Sequence, residues 1–357
     1  MPDWTKSMQQ TFEYYQVDPG TWGDMKLLDN VTKCSITRDN DSDTLGSASI
    51  DVTESVGECY VRVYLVTIQN GVRERFPLGT YLVQTPSSSF DGKVRSVSMD
   101  AYTPLLELKE NPVPIGYYIP KGVNLMDQAY LLTQEHVRAP VVKPTSEQTV
   151  YSDFVAYTSD TWLTFLRDLI ANNKYLYELD EMGRILFAPK QDTASLMPVW
   201  TFDDGNSSIL QPSISMDHDL YGIPNVVEVL YSSNSGATYY AKVVNDDESS
   251  PTSTVNRGRE IIHRSTNPEM TGDPTDDMIQ EYAKQLLRDL SSVEYTVSYK
   301  HGYCPVRVGD CVRLNYQRAG IDNIKARVIS QSISCEPGCI VTEKAVFTNK
   351  LWEGDEK

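Results

Sequence analysis

From Val31 onward apolar and polar side chains alternate along the chain, and a period of two predicts strands. Residues 31–38, 47–52 and 59–68 carry it, followed by 76–85 and 93–101 on either side of a turn-rich segment, 86–92. In the clearest strand, Cys59, Val61, Val63 and Leu65 fall on one face, while Tyr60, Arg62 and Tyr64 fall on the other. The first face suits a core. A Tyr-Arg-Tyr face suits contact with another subunit better than bare solvent. Arg73 and Arg75 follow closely, read either as solvated charges that deter edge pairing or as partners for an acidic neighbour. Tyr60, Arg62, Tyr64, Arg73 and Arg75 are therefore the subunit-interface candidates. Five or six antiparallel strands with short turns suggest a barrel or sandwich ending near Leu108.

The flanking segments change period. Trp4, Met8, Phe12 and Tyr15 recur at helical spacing, predicting a short helix over residues 3–16 that Asp18-Pro-Gly20 ends. Such an arm cannot bury its own aromatics and is expected to lie on the rest of the molecule or on a neighbour. After a Pro/Gly boundary at 111–116 come a helix over 124–135 and a second helix capped by Asp160. The second helix carries Trp162, Phe165, Leu166, Leu169 and Ile170 on one stripe. A hairpin of 175–179 with 184–187 completes a small α+β domain over 111–205.

A further β-domain is expected over 206–350, beginning with strands at 225–231 and 238–244. The polar stretch 245–254 reads as mobile. A helix over 274–291 starts at Asp273 as cap and Pro274 in the first turn, with Asp276 and Asp277 at the positive end of its dipole. Met278, Ile279, Tyr282, Ala283, Leu286, Leu287 and Leu290 line its apolar face. Strands at 293–299, 310–316, 325–333 and 340–347 follow, then a charged, frayed tail over 351–357 that includes Trp352. With 1–110 as an arm plus first β-domain, the chain reads as mainly β with an α+β insert.

Length agrees: 357 residues exceed what one core usually organises. A net charge of −17 argues against an electrostatic grip on nucleic acid, and fits either solubility or a surface past which DNA slides. No uninterrupted run of about 18 apolar residues spans a membrane, and the N-terminus lacks a secretory pattern, so synthesis in a cytoplasm is expected.

Candidate chemistry is sparse. Asp39-Asn-Asp-Ser-Asp43 invites a calcium loop, but Thr44 and Ile50 stand where Gly and Glu are needed, leaving a solvated turn. The six cysteines, 34, 59, 304, 311, 335 and 339, lack paired metal-ligand spacing, and disulfides are not expected in a cytoplasm. His136, His218, His263 and His301 are scattered. Asp217-His218-Asp219 has no nucleophile motif beside it, and no phosphate-binding glycine loop occurs. No catalytic residue, cofactor or metal is predicted. Cell-wall hydrolysis, with Asp203 or Asp204 as candidates, and glycan binding by surface Tyr and Trp remain the alternatives.

Three groups of residues resemble the tail or baseplate hub proteins of tailed bacteriophages over about residues 30 to 348. Gly71-x-Arg-x-Arg-Phe-Pro-Leu-Gly-Thr-Tyr-Leu-Val83, Thr85-Pro86 and Asp100-Ala-Tyr-x-Pro-Leu-Leu106 are similar to their first domain. Trp162 with Leu166-Arg-Asp-Leu169 and the Tyr175 hairpin are similar to the middle one. Ile223-Pro-Asn-Val-Val-Glu-Val229, Gly258-Arg-Glu260, Tyr282-Ala283 and Val308-Gly-Asp-Cys-Val-Arg-Leu314 are similar to the later part. The resemblance implies two tube-type β-barrel domains flanking the α+β domain, and a homotrimer whose pseudo-sixfold ring joins a hexameric tail tube to a threefold spike or fibre. Implied partners are the tube or distal tail protein, the spike or fibre and the tape-measure protein, with DNA only in transit and the virion as location. Lytic activity would then sit on a separate protein.

Overall fold

The computed structural model describes residues 2–90, 92–93, 95–191, 193–205, 207–232, 236–268 and 275–352. Strands dominate, in large antiparallel sheets. The chain divides into two compact units, Met1–Ile214 with Ser298–Ala345, and Ser215–Val297 with Val346–Lys357. Segments 1–110 and 111–205 thus share one unit, while 206–350 is divided between both.

The first unit opens with β1 (Gln9–Val17), β2 (Asp24–Leu27), β3 (Val31–Asp39), β4 (Gly46–Val52), β5 (Tyr60–Gln69), β6 (Val72–Phe90) and β7 (Arg95–Tyr102). They run side by side in the order β3-β4-β7-β6-β5-β1-β2. In β4 the alternation is complete, with Gly46, Ala48, Ile50 and Val52 buried. The predicted helix over 3–16 is instead β1, paired along its whole length with β5 from Gln9↔Ile68 to Val17↔Tyr60. A helix that short is marginal by itself, and the ladder offered by β5 outweighs its spacing. The arm does lie on its own chain: Trp4 packs edge-on against Phe76 and Tyr303, 5.1 Å from each. The turn expected over 86–92 is also largely strand, with Pro86 opposite Met99 and Ser89 opposite Ser96. Beyond Leu82, β6 has β7 as its only ladder partner, and in such an edge stretch a strand tolerates the N–H that Pro86 lacks.

Next come α1 (Leu106–Glu110), β8 (Tyr118–Ile119), α2 (Leu125–His136), β9 (Phe154–Val155), α3 (Trp162–Ala171), β10 (Tyr175–Leu179) and β11 (Ile185–Pro189). Asn124 caps α2 by accepting from the Asp127 N–H. Thr161, rather than Asp160, caps α3, because Thr161 and Thr164 form a reciprocal capping box. Asp160 sits one residue early and accepts from the Tyr157 N–H at 2.7 Å. The α3 stripe is wholly buried and shares one core with Val17, Trp22, Tyr60 and Leu82 of the β region. That shared core explains why no boundary falls near residue 110.

After β12 (Trp200–Asp203) and β13 (Leu210–His218) the second unit contributes β14 (Val226–Ser232), β15 (Thr238–Val244), α4 (Thr254–Arg257), β16 (Ile262–Thr266) and α5 (Asp276–Leu290). β14 lies between β15, antiparallel, and β16, parallel, in a separate three-stranded sheet. Ile279, Ala283 and Leu287 of α5 pack on Val227, Val229, Ala241 and Val243. Asp273 and Pro274 lie outside the described residues; the cap is Thr275, which accepts from the Met278 N–H. Trp352 is buried in this core instead of fraying, and the tail from residue 353 lies outside the described residues. Segment 245–254 is anchored at buried residues, although 246–249 and 251 are exposed. Asn245, Thr252 and Ser253 are fully buried, and Asn245 donates to Ser250 Oγ at 2.9 Å while its carbonyl accepts from the Thr254 N–H at 2.8 Å. Local partners for these polar groups let those residues bury without apolar side chains.

β17 (Ser292–Gly302), β18 (Cys311–Tyr316), β19 (Ile321–Ser334) and β20 (Ile340–Lys350) close the chain. β18 pairs with β12 in parallel and with β19 antiparallel. β19 in turn pairs with β3 from Ser330↔Asp39 to Ser334↔Ser35, so in the first unit the last strands continue the sheet begun by the first.

Candidate assembly site

β5 was expected to show Tyr60, Arg62 and Tyr64 to a neighbour. The structure buries all three inside the protomer. The Arg62 side chain is only 1% exposed, and its guanidinium spends every nitrogen. Nε donates to Thr80 Oγ1 at 2.9 Å, Nη1 to Asp24 Oδ1 at 2.8 Å, and Nη2 to the Trp22 and Met182 carbonyls at 3.1 and 3.2 Å. The Met182 carbonyl, in the turn between β10 and β11, also accepts from Trp22 Nε1 and Thr80 Oγ1. One arginine thus ties β2, β6 and the distant hairpin together. This face is a junction within the chain, not a free surface.

Arg73 and Arg75 stay near the surface, on the strand that follows. Arg75 lies 3.8 Å over the Tyr64 ring and pairs with Asp24 at 2.7 Å, while Arg73 pairs with Glu13. Beside them β2 is the terminal strand of the sheet. All 4 of its residues are exposed, with Met25 at 60% and Leu27 at 47%. A terminal strand offers unpaired backbone groups to another chain, and two exposed apolar side chains add to that offer. This edge, with Arg75 paired to its Asp24, is the candidate assembly surface, and its strand escaped sequence reasoning because Asp24-Met-Lys-Leu27 is too short to show alternation.

One constellation has the look of chemistry. Cys304 Sγ lies 3.8 Å from His301 Nδ1, and His301 Nε2 lies 3.3 Å from Glu343 Oε1. Yet Nδ1 sits 2.6 Å from the Gly302 carbonyl, so it carries a proton and cannot take one from the thiol. Burial pushes the Cys304 thiol up, and no substrate reaches residues so completely enclosed. Glu343 instead accepts from Tyr299 Oη at 2.6 Å and Gln331 Nε2 at 2.5 Å; Arg38 donates to Gln331 Oε1 at 3.1 Å. It is a polar knot inside the sheet. The signal in the sequence was an acid at an inward position of β20, between Val341 and Ala345.

The other candidates lie apart. Asp43 pairs with Lys109 at 2.7 Å, which holds its carboxyl below the usual range. Asp203 accepts from the Gly205 N–H, Asp204 pairs with Arg318 at 3.2 Å, and His218 stacks on Tyr295.

Glu178 and Asp310 line one cleft beside Arg327, and burial raises both carboxyls. A raised carboxyl is penalised in the fold while ionised, and the penalty is relieved as pH falls through the folded pKa towards the unfolded value. Glu178→Gln is therefore expected to stabilise the protein at pH 7, with the gain vanishing below about pH 4. Urea midpoints across that range check it; a gain that persists in acid contradicts it.

No family model and no curated protein matches the chain. Solved structures do. The tail protein from Neisseria meningitidis MC58 superposes with a TM-score of 0.60 at 13% identity, over 95% of this chain and 96% of that one. The 43 kDa tail protein of prophage MuSo2 from Shewanella oneidensis gives 0.59 at 14% identity, over 94% and 98%. Almost end to end, this chain shares its fold with that tail protein and that prophage tail protein.

Proposed function

We propose that this chain is a structural hub of a phage tail tip or baseplate. Three copies close a pseudo-sixfold ring of tube-type β-barrels that joins the tail tube or distal tail protein to a threefold spike or fibre. The observation that carries this reading is the fold shared over nearly the full length of two tail proteins, one of them from a prophage. The exposed β2 edge supports it by giving the sheet somewhere to continue in a second copy, with Arg73 and Arg75 beside the contact. The net charge of −17 suits a lumen along which DNA moves without sticking. The role is one of shape and assembly, not catalysis, and it belongs to the virion.

Mass photometry of the purified chain, alone and mixed with its tube protein, tests the proposal. Trimers or ring-sized complexes are expected. A strict monomer in both settings overturns the hub reading. Met25→Lys combined with Leu27→Asp is expected to reduce assembly at least tenfold, while the melting temperature of the protomer stays within about 2 °C because both side chains are exposed. Unchanged assembly by this variant removes β2 from the interface.

A further inference from the structure

The ladder between β3 and β19 runs Ile36↔Ile333 and Ser35↔Ser334. Its next rung sets Cys34 opposite Cys335, and the Cys335 N–H donates to the Cys34 carbonyl at 3.1 Å. Residues facing each other on a hydrogen-bonded antiparallel rung have Cα atoms about 5.5 Å apart, within the range of about 4.4–6.8 Å that a disulfide spans. Directly opposite side chains also project to the same face of the sheet. Both are free, and both are buried, Cys34 1% and Cys335 6% exposed.

We propose that Cys34 and Cys335 are a redox-sensitive pair, which a small disulfide oxidant converts into a cross-strand bridge between β3 and the end of β19. The bridge would pin the first β region to the last strands at the rung where their shared ladder ends. Nothing in it depends on what the chain assembles with.

Chemistry and access fit. Cys335 opens the turn to Cys339, in which Glu336, Pro337 and Gly338 are exposed. Two hydrogen bonds hold that turn, Cys339 N–H to the Glu336 carbonyl at 2.8 Å and Gly338 N–H to Gln10 Oε1 at 3.1 Å. Local opening there frees the Cys335 sulfur without unzipping the sheet. The Cys335 thiolate attacks one sulfur of the oxidant RSSR, giving a mixed disulfide and releasing RS⁻. The Cys34 thiolate then attacks the Cys335 sulfur and displaces the second RS⁻. Two protein thiols lose two electrons and two protons, and RSSR is reduced to two RSH. The neighbouring Cys34 thiol, and then burial, hold the Cys335 thiol well above its usual range, so its thiolate is scarce near neutrality and exchange accelerates as pH rises. Cys339 is the nearest competitor, and it lies across the turn with a left-handed backbone, φ +37°.

The test uses the full folded chain, reduced, desalted and incubated with glutathione disulfide at pH 7 and pH 9. After acid quench and N-ethylmaleimide blocking in denaturant, peptides are mapped without reduction. Expected results are loss of two alkylatable thiols, a peptide pair joined through Cys34 and Cys335, faster non-reducing gel migration, and a rate several-fold higher at pH 9. Cys339→Ser should keep the bridge, and Cys34→Ser should abolish it. Unchanged alkylation of both residues, stable glutathionylation of Cys335, or a Cys335–Cys339 bridge overturns the assignment.

Discussion

Replacing Arg62 with methionine is expected to lower the stability of the first unit by about 3 kcal/mol. Methionine fills much of the volume but offers no donor to Thr80 Oγ1, to Asp24, or to the Trp22 and Met182 carbonyls. Asp24 keeps Tyr64 Oη at 2.8 Å and Arg75 at 2.7 Å, which puts the loss at the low end for a broken buried pair. Lysine should recover only part of the stability, because a point charge cannot reach four acceptors in different directions. Urea unfolding followed by tryptophan fluorescence reads this directly, since Trp22 lies 5.9 Å from the guanidinium. A loss below about 1 kcal/mol would mean that Trp22 Nε1 and Thr80 Oγ1 hold the Met182 carbonyl, and with it the hairpin, unaided.

Glu343→Leu is expected to cost about 3–5 kcal/mol, the largest effect of any single change considered for this chain. The carboxylate is the common acceptor for Tyr299 and Gln331, and it faces His301, in a site closed to water. Leucine leaves Tyr299 Oη and one of the two Gln331 Nε2 hydrogens without an acceptor, the other hydrogen keeping the Val306 carbonyl at 2.9 Å, and neither side chain can turn to solvent. Glu343→Gln should cost less, because one amide oxygen still accepts from one neighbour. Adding Tyr299→Phe to Glu343→Leu removes one stranded hydroxyl and should restore part of the loss, which a double-mutant cycle measures. If Glu343→Leu proves neutral, the knot contributes specificity of strand register rather than stability.

These two residues also mark how far the sequence could be read. Strands β3, β4, β14 and β15 were legible because a strand with one wet face alternates, whereas β5 alternates in residue type but is buried on both faces. Helix α3 was legible because its buried stripe repeats every three or four residues. Both signals are local. Tyr60, Arg62 and Tyr64 had the right period and received the wrong environment. Polar heads on one face imply solvent or a partner subunit, unless another part of the same chain supplies Asp24 and the Met182 carbonyl. The spacing of Phe12 and Tyr15 misled in the same way, since only the open side of β5 decides that the segment is a strand.

The sequence by itself determined a mainly β chain with a helical insert, an acidic surface and the periods of its principal strands and helices, because backbone geometry imposes those patterns residue by residue. Tertiary structure alone decided which faces are inside. It joined part of 1–110 to 111–205 in a shared core, buried Asn245, Thr252 and Ser253 of the polar segment, sealed Glu343 in its knot and set Cys34 against Cys335. Each depends on partners far away in the chain, and the free energy of burying a charge or a thiol depends on what stands opposite it, which no local pattern encodes.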